Sequence, residues 1–206
     1  MAKLTRDIVV AEALDLLDDV GLDAVSTRRL AQRLGVEQPA LYWHFQNKAE
    51  LLAAMAGAAM APLSDVPLPE SSDDWAMWFA ENMRSFRCTL LLRRDGARLH
   101  AGSRPAEGDS SRIAHKLAFL VASGFGEDDA AMAMLAASRF TVGSVLEEQA
   151  DNNSPEPIPD HTRAFEAGLA LIINGMRYYQ EAAVSSRAVS DRSLRQTRTN
   201  LGRRRG

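Results

Sequence analysis

The sequence has few cysteines and no long apolar run. Its 206 residues contain one cysteine, Cys88, which excludes an intramolecular disulfide and leaves no second thiol for a zinc or redox centre. We expect Cys88 to pack as a small apolar side chain. No apolar stretch of about eighteen residues occurs, and the opening MAKLTRDIVV lacks the pattern of a cleavable signal. These absences predict a cytoplasmic protein without a membrane span.

An excess of positive charge is also absent from the chain as a whole, although one segment carries it. The net charge is −3 and the pI is about 5.8. Residues 26–48, however, contain four cationic side chains and one acidic side chain, Glu37, so the net charge of this segment is 4 − 1 = +3. The four cations are Arg28, Arg29, Arg33 and Lys48. A positive patch on a negative body can orient a protein on DNA phosphates. Because one such patch binds weakly, we expect two copies of the chain on one duplex.

The segment from Ser26 to His44, STRRLAQRLGVEQPALYWH, has the pattern of two helices joined by a tight turn. Ser26 or Thr27 can cap the first helix, and Gly35 ends it where a left-handed backbone is required. Pro39 begins the second helix at a position where its missing N–H costs nothing. One interpretation is a plain helical hairpin with inward aromatic side chains. The combined spacing favours a DNA-binding helix-turn-helix.

Helical periodicity continues along the chain and predicts an all-α protein. Thr5 and Gly21 bound a first helix, and Asn47 with Glu50 forms a capping box that opens a fourth. Further helices are expected near residues 74–92, 112–123, 127–149 and 161–181, with a short helical turn in 93–111 and a linker, NNSPEPIP, before the last.

This pattern divides the chain into three parts. Residues 1–46 are predicted to be an N-terminal three-helix helix-turn-helix domain. A linker helix joins it to a helical ligand-binding and dimerisation core over residues 47–182. Residues 183–206 lack apolar periodicity and are predicted to be a disordered basic tail, whose arginines between Arg187 and Arg205 are expected to be solvated.

The last predicted helix has an apolar stripe with small residues beside it. The stripe is Phe165, Leu169, Ile172, Ile173 and Met176, and the small residues are Ala164, Gly168 and Gly175. Such a helix belongs either to the core of one chain or to an interface between two chains. Because DNA binding requires two copies, we favour a four-helix dimer interface built from the last two long helices of each subunit.

A second cluster of polar residues suggests a ligand site. Asn82 lies on an apolar helix face one turn before Phe86, and a buried amide needs partners. The polar side chains that follow are His100, Ser103, Arg104 and Glu147. Together with the Trp and Phe side chains they suit an oxygen-rich aromatic ligand, and His100 with Glu147 suits a divalent ion. A lone loop histidine is, however, often only a solvated residue.

Two other classes of protein compete with this interpretation. An enzyme could use His100, Ser103 and Glu147, but Ser103 lacks an activating turn motif. A purely structural DNA-binding protein would show no ligand-dependent release. We therefore expect a regulator rather than an enzyme.

Three segments resemble the tetracycline-repressor (TetR) family of transcription regulators: LAQRLGVEQPALYWH, SFRCTLLLRRDGARLHAGSRP and FTVGSVLEEQ. The resemblance runs from Leu4 to about Gln149 and resumes in the last helix. It implies an all-helical homodimer that binds a palindromic double-stranded operator and represses an efflux-pump gene. It also implies release from DNA when a tetracycline–Mg²⁺ chelate enters the core. An alternative within the family is a repressor that responds to a different lipophilic ligand.

The resemblance assigns roles to residues of the helix-turn-helix. Arg28 and Gln38 match positions that read base edges. Thr27, Tyr42 and Lys48 match positions that hold phosphates, and Pro39, Trp43 and His44 match the apolar and steric part of that surface. Ala40 stands where the family commonly has threonine, so one hydroxyl contact to the operator is lost.

The resemblance also assigns the ligand site. His100 matches the direct magnesium ligand, Glu147 a carboxylate that reaches the ion through water from the other subunit, and Ser103 a supporting hydroxyl. Asn82, Phe86 and Arg104 match drug contacts. Three positions depart from the family, which has histidine, glutamine and histidine there: Ser64, Lys116 and Arg139. Lys116 or Arg139 could replace the donor lost at Ser64. The helix that usually precedes the last one is missing, because NNSPEPIP is too short for it, so we expect an open pocket entrance.

These roles imply a mechanism. Binding at His100 and Ser103 would reorder their segment, push the linker helix and move the two recognition helices away from the major-groove spacing of about 34 Å.

Overall fold

The computed structural model describes residues 4–103, 109–151 and 160–181, and these residues form helices and connecting turns without a strand. The helices are α1 (Arg6–Val20), α2 (Thr27–Leu34), α3 (Gln38–Leu41), α4 (Lys48–Met60), α5 (Trp75–Leu91), α6 (Gly96–Ala101), α7 (Asp109–Ala122), α8 (Glu127–Asp151) and α9 (161–181). Short 3₁₀ turns lie at Leu22–Ala24 and Ala61–Ser64. The all-α prediction is confirmed.

Side-chain caps fix where the helices begin. Thr5, Ser26 and Asn47 accept hydrogen bonds from the backbone N–H three residues later, at 3.3, 3.2 and 2.9 Å. These contacts satisfy amide groups that a helix leaves without partners at its first turn. Gly35 ends α2 in the left-handed region with φ 66°, as the sequence predicts.

The first four helices enclose one apolar core, which we call the head core. Its most buried members come from α1, α2 and α4 and include Val9, Leu17, Leu30 and Met55. Leu41 of α3 is 2% exposed and anchors the second helix of the helix-turn-helix. Leu99 of α6 also belongs to this cluster, so one side chain from the rest of the protein is embedded in the head core.

A second apolar core surrounds α5, which packs against α7, α8 and α9. Phe79 of α5 is fully buried there beside Phe125 and Phe165. Edge-to-face aromatic pairs extend the packing, for example Trp75 on Phe125 with ring centroids 4.9 Å apart. This α5 core positions the second cluster of polar residues.

The structure corrects the assignment of the apolar stripe on the last helix. Phe165, Leu169 and Met176 are each at most 5% exposed and pack into the chain's own α5 core, rather than facing a second subunit. A Cβ at Gly168 would lie 2.4 Å from the ring of Phe140 in α8, so the close neighbour that this glycine admits is a helix of the same chain.

Cys88 was expected to be buried, and it is exposed. It lies on the outer stripe of α5 together with Met77, Glu81 and Arg84, whereas the buried stripe carries Phe79 and its neighbours. A cysteine is usually buried, but the position of a residue around the helix axis determines whether it faces the core or the solvent.

Several predictions concern residues outside the described ranges. They are the ligand contact at Arg104, the prediction that residues 152–159 are too short to form the helix that usually precedes the last one, and the basic tail at 183–206. The domain bounds 1–46, 47–182 and 183–206 stay predictions. Within the described ranges, no helix is long and apolar enough to cross a membrane.

Candidate functional site

The helix-turn-helix presents a short second helix on the surface of the head. α3 covers only four residues, and residues 42–44 continue it as a turn, in which the N–H of Tyr42 donates to the Pro39 carbonyl and that of His44 to the Leu41 carbonyl. Pro39 is the second rather than the first residue of α3. Trp43 is 89% exposed and Tyr42 is 49% exposed, so both aromatic side chains face outward rather than into the head core.

Gln38 is held by neighbouring side chains on this surface. Its amide nitrogen donates to the hydroxyl of Thr27 at 2.9 Å and lies 3.4 Å from the hydroxyl of Tyr42. The amide is therefore oriented in the free protein. Both contacts use the amide nitrogen and not the side-chain oxygen, which suits an amide that reads a base edge.

The four cations of this segment have different surroundings. Arg33 pairs with Glu12 at 3.0 Å and with Asp19, so its charge is directed toward α1. Arg29 donates to the backbone carbonyl of Ala24 at 3.2 Å. Arg28 and Lys48 have exposed side chains on the outer surface. The local charge of +3 expected from the sequence is thus reduced by the α1 carboxylates, and Arg28 and Lys48 carry the part that faces outward.

On the buried side of α5, four residues of the predicted ligand site stand in line, and we call them the α5 row: Lys116, Asn82, Phe86 and His100. The ammonium of Lys116 donates to the side-chain oxygen of Asn82 at 2.7 Å. One turn along α5, the ring of Phe86 packs edge-on against the imidazole of His100, with centroids 5.1 Å apart. Asn82 and Phe86 are 7% and 8% exposed. The structure therefore joins three helices, α5, α6 and α7, along one line.

The other predicted ligand residues that the structure describes have different surroundings. The hydroxyl of Ser103 donates to the carbonyl of His100 at 2.8 Å, which fixes the turn after α6. Ser64 is exposed at the end of a 3₁₀ turn, and Arg139 and Glu147 are exposed on α8. An exposed Glu147 is compatible with a role toward a second subunit.

A groove of about 750 Å³ reaches the α5 row at Asn82. Its walls are the segment Val66–Leu68, the outer face of α5 and one side of α9, including Trp78, Ile173 and Arg177. The groove is open to solvent, and Phe86, His100, Ser103 and Glu147 do not line it. Asn82 alone belongs to both features.

Within the described part of the chain, no three His, Cys, Asp or Glu side chains come together as a metal-binding group. His100 and Glu147 therefore do not form a complete metal site inside one protomer. Magnesium prefers several oxygen ligands, so an ion at His100 would depend on oxygens supplied by a bound molecule or another subunit.

The head is joined to α6 by a network of arginines and aspartates that the sequence did not predict, and we call it the charged junction. Its side-chain pairs are Arg93 with Asp15 and Asp18, and Arg98 with Asp23. The backbone N–H of Arg94 donates to the Asp18 carboxylate, and the Arg94 guanidinium donates to the backbone carbonyl of Asp19. The Arg98 guanidinium, which donates to Asp23, holds the pKa of that carboxyl below its usual value. The complementary runs LDLLDD and RRDGAR were the signal available in the sequence.

Backbone geometry fixes the start of α6 at this junction. Asp95 has φ 55°, in the left-handed region, and its carboxylate accepts the N–H of Leu22 at 2.8 Å. A Cβ on Gly96 would lie 2.2 Å from the carbonyl oxygen of Leu90, so only glycine fits there. Gln149 of α8 accepts the N–H of Ala97 at 3.3 Å. The short helix α6 is thereby held by the head on one side and by the α5 core on the other.

Basic side chains of α7 hold the segment that follows α4. The Arg112 guanidinium donates to the carbonyls of Leu63 and Val66. The imidazole Nε2 of His115 lies 3.0 Å from the carbonyl oxygen of Pro69. Sequence reasoning missed both contacts, because a backbone carbonyl in a loop leaves no pattern in the sequence.

An apolar surface remains on the outer sides of α8 and α9. Met132 is 59% exposed on α8, and Leu171 and Tyr179 are 73% and 62% exposed on α9. They border a groove of about 370 Å³, into which Gly175 opens. Large apolar side chains exposed together are typical of an interaction surface.

Comparison with known proteins gives two family matches along the chain. Residues 9–55 match the family described as bacterial regulatory proteins, tetR family. Residues 67–159 match the tetracyclin repressor-like C-terminal domain. The first range covers the head with its helix-turn-helix, and the second covers α5 to α8.

Relatives and solved structures agree with these matches. The chain is 44% identical over 198 residues to the tetracycline repressor protein class A from transposon 1721 of Escherichia coli, covering 85% of this chain and 92% of the relative. A solved Tetr-family transcriptional regulator from Streptomyces coelicolor is 64% identical, with a TM-score of 0.70, over 84% of this chain and 98% of its own. The class A TetR solved with 5a,6-anhydrotetracycline and magnesium is 45% identical, with a TM-score of 0.76, over 85% and 99% of the two chains.

Proposed function

The chain belongs to the tetR family of bacterial regulatory proteins, and from this premise we propose that it is a cytoplasmic repressor released from DNA by a tetracycline–magnesium chelate. The operator is a palindromic double-stranded DNA, and the controlled gene confers tetracycline efflux. The observation that carries the proposal is the α5 row, in which Asn82, Phe86 and His100 stand in line. The names of the relatives support the choice of ligand.

In this proposal the exposed face of the helix-turn-helix binds the operator. Gln38 and Arg28 read base edges, and the other contacts come from Thr27, Pro39, Ala40, Tyr42, Trp43, His44 and Lys48. The orientation of Gln38 by Thr27 and Tyr42 supports its role, because less side-chain freedom is lost on binding. Arg28 and Lys48 supply outward charge for phosphates.

The repressor acts as a homodimer, because two heads are required for a palindrome. We place the interface on the exposed apolar surface of α8 and α9, with Met132, Leu171 and Tyr179, rather than on the buried stripe of α9. We also propose that the chain is divided into a DNA-binding head, residues 1–46, a ligand-binding and dimerisation core, residues 47–182, and a tail, residues 183–206.

The ligand is a chelate whose magnesium ion would be held by His100 of one subunit, with the carboxylate of Glu147 of the partner subunit as a further oxygen donor. The α5 row supplies Asn82 and Phe86 as contacts along the drug. The other ligand residues in the proposal are Ser64, Ser103, Arg104 and Lys116. The burial of Phe86 and its contact with the His100 ring support a largely apolar pocket wall with one metal-binding group.

Release follows from the position of α6. His100 lies on the same six-residue helix as Arg98, which pairs with Asp23, and as Leu99, which is embedded in the head core. A ligand that moves His100 and the Ser103 turn therefore directly moves contacts to the 3₁₀ turn Leu22–Ala24 and to α4. If the two recognition helices of the dimer move with their heads, their separation no longer fits successive major grooves.

Mobility shifts on a palindromic operator, with and without tetracycline and Mg²⁺, test the proposal. Replacing His100 with Ala is expected to leave operator binding intact and to abolish release, because the ion loses its protein ligand. Chelation of Mg²⁺ by EDTA should reproduce that loss in the unmodified protein. Normal release of the His100→Ala variant would falsify the metal role of His100. Equal chelate binding with and without operator would contradict the coupling.

A second candidate function is a repressor of the same family that responds to a different lipophilic ligand. The observation that favours it is the Lys116 contact with Asn82, together with the exposed position of Ser64. Operator binding that tetracycline and Mg²⁺ leave unchanged, while the protein still dimerises, would favour this alternative.

A further inference from the structure

Arg6, the first residue of α1, reaches across the head to the end of the helix-turn-helix. Its guanidinium nitrogen Nη1 donates to the backbone carbonyl of His44 at 2.8 Å and to the carboxylate of Glu50 at 2.8 Å. The guanidinium also lies over the ring of Phe45, with its central carbon 4.3 Å from the ring centroid. Three different contacts of one side chain therefore meet on residues 44–50.

Glu50 holds the same turn from α4. One of its carboxylate oxygens pairs with Arg6, and the other accepts the backbone N–H of Gln46 at 2.7 Å. The N–H of Glu50 in turn donates to the side-chain oxygen of Asn47 at 2.9 Å. The hydrogen bonds from Arg6 and Gln46 hold the pKa of the Glu50 carboxyl below its usual value, so the group is ionised at neutral pH. The Arg6–Glu50 pair thereby ties α1, the turn at residues 44–47 and the first turn of α4 together.

This support matters because the second helix of the helix-turn-helix is too short to hold itself. α3 has four residues, and a helix of that length is unstable without packing. Leu41 anchors its inner side in the head core, whereas Trp43 is 89% exposed. The orientation of the outward side chains after Leu41 therefore depends on the contacts of Arg6 with the next two residues, His44 and Phe45.

We propose that Arg6 and Glu50 are positioning residues for operator binding, which hold residues 42–48 in the orientation that contacts DNA. The inference rests on the DNA-binding part of the proposed function, because this segment carries Tyr42, Trp43 and Lys48. It does not depend on which ligand releases the protein.

Charge alone predicts the opposite result at Glu50. DNA phosphates repel a carboxylate, so removing Glu50 should tighten DNA binding if the residue acts only through its charge. If Glu50 positions the turn, its removal takes a partner from Arg6 and from the Gln46 N–H, and operator binding weakens. The sign of the change therefore separates the two roles. Replacing Arg6 does not separate them, because the loss of a cation weakens DNA binding in either case.

The test uses Glu50→Ala with Glu12→Ala as the matched control. Glu12 is also a head carboxylate paired with an arginine, and the side chains of Glu12 and Glu50 are 39% and 35% exposed. The probe is the palindromic duplex that the unmodified protein selects from a random-sequence pool, and mobility shifts give its Kd. We expect Glu50→Ala to raise this Kd about threefold to tenfold, because two hydrogen bonds to the turn are lost. Glu12→Ala should leave the Kd unchanged or lower it.

Further measurements separate positioning from a loss of fold. On a scrambled duplex of the same length, Glu50→Ala should bind no more weakly than the unmodified protein, since non-specific binding is mainly electrostatic. Glu50→Gln keeps the length of the side chain and one acceptor oxygen, so its operator Kd should rise by a smaller factor. Melting followed by circular dichroism should be similar for Glu50→Ala and Glu12→Ala, because both ion pairs are partly exposed. If Glu50→Ala melts well below the control, the Glu50→Gln measurement decides.

The outcomes are distinct. Operator Kd values of the two Glu50 variants at or below that of the unmodified protein overturn the positioning role and leave the proposed function intact. An equal loss of affinity for the scrambled duplex overturns that role as well. If the unmodified protein selects no palindromic duplex, the proposed function itself fails, and the inference fails with it.

Discussion

The α5 core and the charged junction both hold helices together, but the first consists of buried apolar side chains and the second of partly exposed charged side chains. In the α5 core, Phe79, Phe125 and Phe165 are at most 2% exposed and fill space against one another. At the junction, Arg98 and Asp23 retain 43% and 86% of their side-chain exposure. Close packing resists sliding, because each displacement opens a void. Exposed ion pairs are individually weak and exchange partners readily. The comparison teaches that regions joined by close packing resist displacement, whereas regions joined by exposed ion pairs can shift at a smaller cost in free energy.

The largest effect is expected inside the α5 core. Replacing Phe79 with Ala should lower the free energy of unfolding by about 4 kcal/mol, because a fully buried ring leaves a cavity among close-packed neighbours. Urea unfolding followed by circular dichroism measures it. Met77→Ala, on the exposed side of the same helix, is the matched control and should change little. A loss under about 1 kcal/mol at Phe79 would contradict the packed character of the core.

Leu99 tests a point where the head and α6 are joined by apolar packing rather than by charge. It is 4% exposed inside the head core although it belongs to α6. Leu99→Ala is expected to cost about 3 kcal/mol of stability and to weaken the link between head and α6. In calorimetric melting of this variant, we therefore expect the head and the α5 core to unfold in two separate transitions. A single transition at a lower temperature would show that the link does not depend on Leu99.

A smaller effect on stability is expected at the charged junction, with a larger effect on coupling. Arg98→Ala should cost less than about 1 kcal/mol, because the pairs with Asp23 and Asp95 are partly exposed. The ligand concentration needed to release the operator should nevertheless change, since α6 loses a contact to the head. Arg84→Ala removes a comparably exposed pair with Glu166 within the core. This control should lose similar stability and leave the release concentration unchanged.

The smallest effect is expected from pH. Hydrogen bonds from Arg98 and Arg84 hold the pKa values of Asp23 and Glu166 below their usual range. Both carboxylates therefore contribute stability at neutral pH that is lost as the pH falls below about 4, where the folded protein must take up protons. Melting temperatures of the unmodified protein and Asp23→Asn should converge between pH 6 and pH 3. A constant difference over that range would show that Asp23 contributes nothing through its charge.

Local features of the fold could be predicted from the sequence. Thr5, Ser26 and Asn47 could be predicted as helix caps, because a short polar side chain just before an apolar helical pattern can accept a backbone N–H of the first turn. Gly35 ends α2 because few other residues adopt its left-handed backbone. In the candidate site, Asn82 was predicted from the cost of burying an amide, and the structure supplies its partner in Lys116.

Contacts between distant segments could not be predicted in the same way. Arg33 counted as part of the positive patch, yet it pairs with Glu12 and Asp19 once α1 and α2 pack together. The stripe on α9 was assigned to the wrong neighbour, because a helical pattern shows that a face is buried and not what buries it. The prediction that Cys88 is buried is wrong because residue type alone does not show which side of a helix faces the core. The role of the α5 row as a binding site stays a prediction.

The pairing of His161 with Asp151, at 3.2 Å, shows that the chain leaves α8 and enters α9 at almost the same point in space. A connection whose two ends meet can be lengthened without moving either helix, since the entropy of loop closure grows only with the logarithm of length. The α8–α9 connection is therefore a natural insertion point, where evolution or an engineer can add a peptide tag or a sensing element and leave the regulator's two cores as they are.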